Sequence, residues 1–236
     1  TGVTKDGAIT AMDFESYLDG GAYGSYGVAS LYYTGALQTV TYDVPTYRFR
    51  GARAFTNKPP GGPKRGHGTT QPRFAVEVHL DKIAEELQVD PAELRLRHLV
   101  KPDAVTANWL QLGTVGLKAC IEKVVEGSRW KERFRKLPYG RGLGLACSSY
   151  ITGAGLPIYW NDMPHSGAQI KCDRGGGVTI FCGSTDIGQG SESVLAYVTA
   201  EVLGIEPADI RVVTADTDLT PVDLGSYSSR VTLMTG

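Results

Sequence analysis

Residues 183–191 read Gly183-Ser184-Thr185-Asp186-Ile187-Gly188-Gln189-Gly190-Ser191 and lie between an apolar strand pattern and an amphipathic helix pattern. Here the chain has to pass abruptly from extended to helical backbone, and two glycines bracketing one glutamine mark the place. Glycine permits the turn and a close ligand approach, while the glutamine amide both donates and accepts. The helix that follows aims its first free N–H groups toward any anionic ligand. The stretch is a candidate cofactor cradle with no catalytic side chain of its own. A tight strand-to-helix connection also accounts for the glycines, and spacing alone leaves both readings open. It is neither a P-loop, since no Gly-Lys-Ser/Thr follows, nor a dinucleotide fingerprint, since the third glycine is absent.

The turn is one of many. Thirty glycines cluster at Gly20-Gly21, Gly24, Gly27, Gly61-Gly62, Gly66, Gly68 and Gly175-Gly176-Gly177. Between strand-like runs they imply tight turns and close backbone approaches, not a flexible linker. With 236 residues, 42% of them hydrophobic, the chain is long enough to bury one large core or two modest ones. A formal charge of −1 gives no general attraction to nucleic acid or anionic membranes. No apolar run approaches the roughly 20 residues needed to cross a bilayer, and no secretory pattern opens the chain, so the cytoplasm is the expected location. Cys120, Cys147, Cys172 and Cys182 include no CxxC pair and are expected to be free, buried thiols. His67, His79, His98 and His165 are scattered too, and no side chain is read as a direct metal ligand.

The fold class read from the pattern is α+β, with mixed sheets, packed helices and two subdomains, 1–135 and 136–236. Lys5-Asp6-Gly7 is a hairpin-type turn ahead of a strand from Ala8 to Tyr17, and a Gly/Tyr-rich loop follows from Asp19. Residues 41–56 read as further strand. Pro59-Pro60-Gly61-Gly62-Pro63 excludes helix and central strand. A helix begins near Pro72, with Phe74, Val78, Ile83 and Leu87 on its apolar side. Asp90-Pro91 is a cap and first-turn signature for a short helix through Leu99. Leu117, Cys120, Ile121, Val124 and Val125 mark another, closed by Gly127.

In the second part, strands are expected over 141–147, 168–172, 178–182 and 210–214. A helix spans Ser191 to Leu203 with Val194, Leu195, Val198 and Val202 on one side, and a new helix opens at Ser226. A chain that starts at Thr1 without a methionine and stops inside an element reads as an internal piece of a larger one.

Two further polar stretches stand ahead of expected helices. Lys64-Arg65-Gly66-His67-Gly68-Thr69-Thr70-Gln71 offers backbone N–H groups for an oxo or phosphate oxygen, with Arg65 as a fork donor. An ordinary helix cap beside a surface basic pair explains it equally well. Asp223-Leu224-Gly225-Ser226-Tyr227-Ser228-Ser229-Arg230 gathers four hydroxyls and an arginine at a helix start, more than a serine cap requires. Three such entrances suit a large polyanionic cofactor held mostly by main chain. An ordinary phosphate or nucleotide site on an unrelated α/β protein is the alternative.

Together the three stretches resemble the molybdenum-binding catalytic subunit of the xanthine dehydrogenase/aldehyde oxidase family. The likeness runs in order through residues 59–68, Asp90-Pro91-Ala92-Glu93-Leu94-Arg95, the Gly188–Gly190 turn and residues 225–232. Within the family, Tyr33-Thr34-Gly35-Ala36-Leu37, the Arg65–Thr69 run and the Gly225–Thr232 run look most like the large subunit of 4-hydroxybenzoyl-CoA reductase.

The resemblance implies two partial molybdenum-cofactor-binding subdomains and a molybdopterin, as the cytosine dinucleotide in bacterial members. It further implies partner subunits carrying [2Fe–2S] clusters and FAD in a hetero-oligomer, and an aromatic or heteroaromatic substrate or an acyl-CoA. It assigns cofactor contacts to Arg65, Gly66, Gly188, Gln189, Gly190, Ser191, Ser226, Ser228 and Ser229, with Gln189 near the molybdenum oxo and sulfido ligands. His67 and, more weakly, Tyr33 resemble substrate-side residues. Gly66 stands where the carbon monoxide dehydrogenases carry a cysteine, which disfavours a Mo–Cu centre. The family's general-base glutamate is expected beyond Gly236 and its first glycine-rich loop before Thr1, so no catalytic residue is assigned in this segment. Alone, the segment is expected to be an inactive cofactor-binding piece.

Overall fold

The computed structural model describes residues 1–153 and 166–236. His165 lies outside the described residues. The chain divides into two compact units, residues 1–150 and 151–236. Residues 136–150, assigned from sequence to the second subdomain, are grouped with the first unit.

In the first unit, β1 (Gly2–Val3) pairs antiparallel with β2 (Ile9–Asp19) across the Lys5-Asp6-Gly7 turn. Next comes α1 (Gly27–Ala36), and then β3 (Tyr47–Ala54), which runs parallel to β2 from Met12–Tyr47 to Asp19–Ala54. Four helices follow: α2 (Thr70–Glu86), α3 (Pro91–Arg97), α4 (Leu117–Gly127) and α5 (Trp130–Arg133). Helix α1 has no counterpart in the sequence pattern. Its glycines and β-branched or aromatic residues are poor helix formers, and tertiary burial of Ala29, Tyr33 and Thr34 holds it instead. The strand expected over 41–56 is confined to β3, and Tyr42 makes only an isolated bridge to Leu99.

The core gathers Ile9, Met12, Tyr42, Val44, Val76, Leu80, Ile121 and Cys147, each large aliphatic contributing about 1.5–3 kcal/mol. The inward side of α2 differs from the apolar one expected. Phe74 is 73% exposed and Val78 is exposed as well, whereas Arg73 and Glu77 are buried.

Glu77 explains the inversion, because its partners are all inside. Its Oε1 accepts the Tyr42 hydroxyl at 2.7 Å, and its Oε2 accepts Arg95 Nε at 2.8 Å and the Cys147 N–H at 3.0 Å. Arg95 also donates to the carbonyls of Pro91 and Glu77 and pairs with Asp81, and Arg73 donates to the Leu37 carbonyl. Residues 141–147, expected as a strand, pair with no strand among the described residues. The Cys147 N–H goes to the Glu77 carboxylate, and among the described residues nothing packs within 4 Å of where a Cβ on Gly142 or Gly144 would lie. Asp90 caps α3 as its sequence predicts, accepting from Ala92 and Glu93 N–H, and its other oxygen takes Trp130 Nε1 at 2.9 Å.

In the second unit, β4 (Ala168–Cys172) pairs antiparallel with β5 (Val178–Cys182) around the expected Gly175–Gly177 turn. Helix α6 (Ser191–Leu203) and a 3-10 turn (Pro207–Asp209) lead to β6 (Ile210–Thr214), parallel to β5. Ile180, Cys182 and Leu195 form the core, flanked by Ile210 and Val212. Helix α6 spans the residues expected and ends at left-handed Gly204, but its buried side is Leu195, Ala196, Thr199 and Ala200, and Val202 faces solvent. The helix expected from Ser226 starts only at Val231, as α7 (Val231–Met234). Ser228 and Ser229 have φ of 50° and 51°, a left-handed conformation that cannot join a right-handed helix.

All four cysteines are free. Cys147 and Cys182 are buried, while Cys120, on the outer side of α4, and Cys172, on fully exposed β4, are not. Each unit thus repeats one plan, an antiparallel hairpin followed by a helix and a strand parallel to the hairpin's second strand.

Candidate cofactor-binding site

Ligands in sheets of this kind gather beyond the carboxyl ends of parallel strands. Four loops leave those ends here, after β2 (20–26), β3 (55–69), β5 (183–190) and β6 (215–230). Of the residues to which the family resemblance gives cofactor or substrate roles, all lie in these loops except Tyr33, on α1, and Ser191, the first residue of α6. The loop pattern therefore ties the sequence motifs to the fold.

In the first unit the loops after β2 and β3 are joined. Arg53 donates to the carbonyls of Gly20, Tyr23 and Gly24 at 3.0, 2.9 and 2.5 Å, and the Ala22 and Thr56 N–H groups pair with Lys58 and Gly21 across the loops. Lys58 leads Thr56 and the Gly21 N–H in holding the Asp19 carboxyl down to about 2. Arg65 is exposed and ion-pairs with no carboxylate among the described residues. His67 is 6% exposed. Its Nε2 lies 2.8 Å from Ser30 Oγ, and its ring meets Tyr33 edge-on at 4.9 Å. Burial pushes the imidazole below its ordinary pKa, opposed by the Tyr26 carbonyl. Gly68, with φ of 69°, lies against Ser30, and its carbonyl accepts the Thr34 hydroxyl at 2.7 Å. Tyr33 and His67 are therefore brought together, as a packed pair behind the Arg65–Gly68 loop.

In the second unit Gln189 turns inward on its own loop. Its Nε2 donates to the Thr185 carbonyl at 3.0 Å and to Ser191 Oγ at 2.8 Å, and its Oε1 accepts the Ile187 N–H at 2.6 Å. Gly188 and Gly190 have φ of 99° and 77°, and among the described residues no atom beyond their chain neighbours lies within 4 Å of where their Cβ atoms would stand. A flat group can approach the backbone there, which only glycine allows.

Ser226 joins this turn: its Oγ accepts the Thr185 N–H at 3.0 Å and donates to the Thr185 carbonyl at 2.5 Å. Ser228 is buried, with its carbonyl accepting the Gly153 N–H at 3.0 Å, and Ser229 is exposed. Arg230 and Asp223 form a buried ion pair at 2.7 Å under the serine loop, and Arg230 also donates to the Gly225 carbonyl. Glu192, in the first turn of α6, accepts the Thr214 hydroxyl at 2.6 Å.

Sequence reasoning missed Asp186. Its Oδ1 accepts the Gly188 N–H at 2.7 Å. Main-chain N–H groups, Gly188 first and then Glu192, Gly190 and Ser191, hold the carboxyl below its ordinary range. An aspartate two residues ahead of a turn glycine was the available signal. The anion at the entrance of α6 is therefore supplied by the protein, and the turn offers a ligand an open, polar surface. That surface fits a cofactor face laid along Gly188–Gly190.

Two such units, each presenting polar loops from the ends of parallel strands, define a pair of cofactor-binding α+β domains. Residues 1–99 and residues 121–236 each match a family model described as a molybdopterin cofactor-binding domain. The chain is 33% identical, over 97% of its length, to a putative xanthine dehydrogenase molybdenum-binding subunit of Escherichia coli K12, and covers 31% of that protein. It is 29% identical to the nicotine 6-hydroxylase large subunit of Paenarthrobacter nicotinovorans, covering 98% of this chain and 30% of the relative. Among solved structures, quinoline 2-oxidoreductase from Pseudomonas putida 86 matches with a TM-score of 0.81 and 27% identity, over 97% of this chain and 31% of that one. The chain belongs to the molybdopterin-binding domains of the xanthine dehydrogenase/aldehyde oxidase family, and spans about a third of the length of the relatives it matches. An unrelated nucleotide-binding protein is thereby set aside.

Proposed function

We propose that the complete subunit containing this chain is a molybdopterin-dependent oxidoreductase that exchanges an oxygen-bearing substituent on an aromatic or heteroaromatic ring. The observation that carries this reading is the placement of the motif residues in loops beyond the parallel strand ends of two molybdopterin-binding domains. The cofactor supplies two-electron redox and oxygen transfer when bound; the protein orients and hydrogen-bonds. Arg65 and Gly66 in one unit, and Gly188, Gln189, Gly190, Ser191, Ser226, Ser228 and Ser229 in the other, are its cofactor-binding residues. His67 and Tyr33, 6% and 1% exposed, serve the substrate side as a rigid wall. The pterin is the cytosine dinucleotide, and partner subunits with [2Fe–2S] clusters and FAD complete a cytoplasmic hetero-oligomer.

Xanthine dehydrogenase, nicotine 6-hydroxylase and quinoline 2-oxidoreductase among the similar proteins favour an N-heteroaromatic substrate, hydroxylated oxidatively. The reductive alternative, removal of the phenolic hydroxyl of 4-hydroxybenzoyl-CoA, rests on the likeness of residues 33–37, 65–69 and 225–232. Metal analysis and nucleotide release from the native complex test the cofactor. Molybdenum and cytosine nucleotide are expected, and a fully active complex lacking both overturns the reading. Turnover of purine, quinoline or nicotine with an electron acceptor, against 4-hydroxybenzoyl-CoA with a low-potential donor, decides between the two directions.

A further inference from the structure

We propose that Asp186 is the positioning residue of the cofactor turn, fixing the Gly188 backbone so that Gln189 is free to exchange its partners inside the turn for a cofactor oxygen. This rests on the cofactor reading above and adds a residue to it. Gln189 has two amide hydrogens, and both are spent within the loop, on the Thr185 carbonyl and Ser191 Oγ. A Gln189 N–H therefore reaches a ligand only by leaving one of them.

Once it leaves, the turn hangs on what remains. Ser226 holds Thr185 at one end through both N–H and carbonyl, and Asp186 holds Gly188 at 2.7 Å beside the glutamine. Among the described residues no packing substitutes for these bonds, because beyond the chain neighbours none lies within 4 Å of the Cβ positions of Gly188 or Gly190. A carboxylate accepting from main-chain N–H groups makes the stronger, charge-assisted kind of hydrogen bond, and its charge is favourable at the start of α6. Asp186 does not touch the reacting atoms; it acts through the position of Gln189.

The test uses the complete subunit in its native complex, with D186A and D186N, and needs no substrate. Dithionite titration generates the Mo(V) electron paramagnetic resonance signal, and metal analysis gives occupancy. D186A, which removes the acceptor, is expected to shift or broaden the Mo(V) signal and to lose molybdenum at least about threefold faster on dialysis, while D186N, which keeps an acceptor oxygen for the Gly188 N–H but loses the charge, moves the signal clearly less than D186A. Turnover with the substrate found above is expected to fall about tenfold in D186A with KM within twofold, because a displaced orienting group costs rate more than binding. A wild-type signal in D186A, or signals equally altered in D186A and D186N, overturns the proposal. A wild-type complex without molybdenum overturns the functional reading itself, which separates the two failures.

Discussion

Gly68 lies so near Ser30 that a Cβ on the glycine would stand 2.2 Å from the serine's carbonyl oxygen. The contact seats the Arg65–Gly68 loop on α1, where Ser30 also meets the His67 ring. Gly68→Ala meets both this clash and a φ of 69°, and is expected to destabilise the first unit by more than about 2 kcal/mol. Gly188→Ala carries the conformational cost without a clash and is expected to lose only about 1–2 kcal/mol. Denaturant titration of both variants checks the difference.

His67 makes stability depend on pH. Burial lowers its folded pKa below the unfolded value of about 6.5. Above pH 6.5 both states are neutral and stability is at its full value. As pH falls from there toward the folded pKa, the unfolded state takes up a proton that the native state refuses, and stability is lost. Thermal melts of wild type are expected to decline over this window, and His67→Gln to flatten the decline.

Removing the Glu77 charge leaves Arg95 inside with Asp81 as its one counter-ion among the described residues. Glu77→Gln is expected to cost about 3 kcal/mol, and replacing Glu77 and Arg95 together with methionine to cost less than the single change. A double-mutant cycle by urea denaturation measures it.

Ser228 and Ser229 hold consecutive left-handed conformations at φ of 50° and 51°, each costing about 1–2 kcal/mol for a side-chain-bearing residue. Ser229 is exposed, so Ser229→Gly is expected to stabilise the second unit by about 1 kcal/mol. If this strain serves the cofactor, the same variant retains less molybdenum in the native complex, and metal analysis beside the melts detects that.

Much of the second unit was legible in advance. Strands 168–172, 178–182 and 210–214 and helix 191–203 show period and punctuation that agree with the fold. The failures have physical causes. Helix α1 is held by burial of Tyr33 and Thr34 and not by propensity. The inner side of α2 carries Arg73 and Glu77, because an ion pair with Arg95 outweighs exposure of Phe74. The run 141–147 looks extended but finds no neighbouring strand among the described residues. At the site, the glycine and glutamine pattern located the turn after β5, whereas the bonds of Gln189 inside that turn, and the part played by Asp186, depend on distances that no residue pattern encodes.

The repeated plan of the two units separates what keeps each one folded from what it offers a ligand. In the first unit, Ile9 and Met12 anchor the core from the amino end of β2, while the polar loops hang from its far end and that of β3. Residues at those tips can thus be exchanged without disturbing the hydrophobic interior, so the surface a unit offers and the stability of that unit are separable.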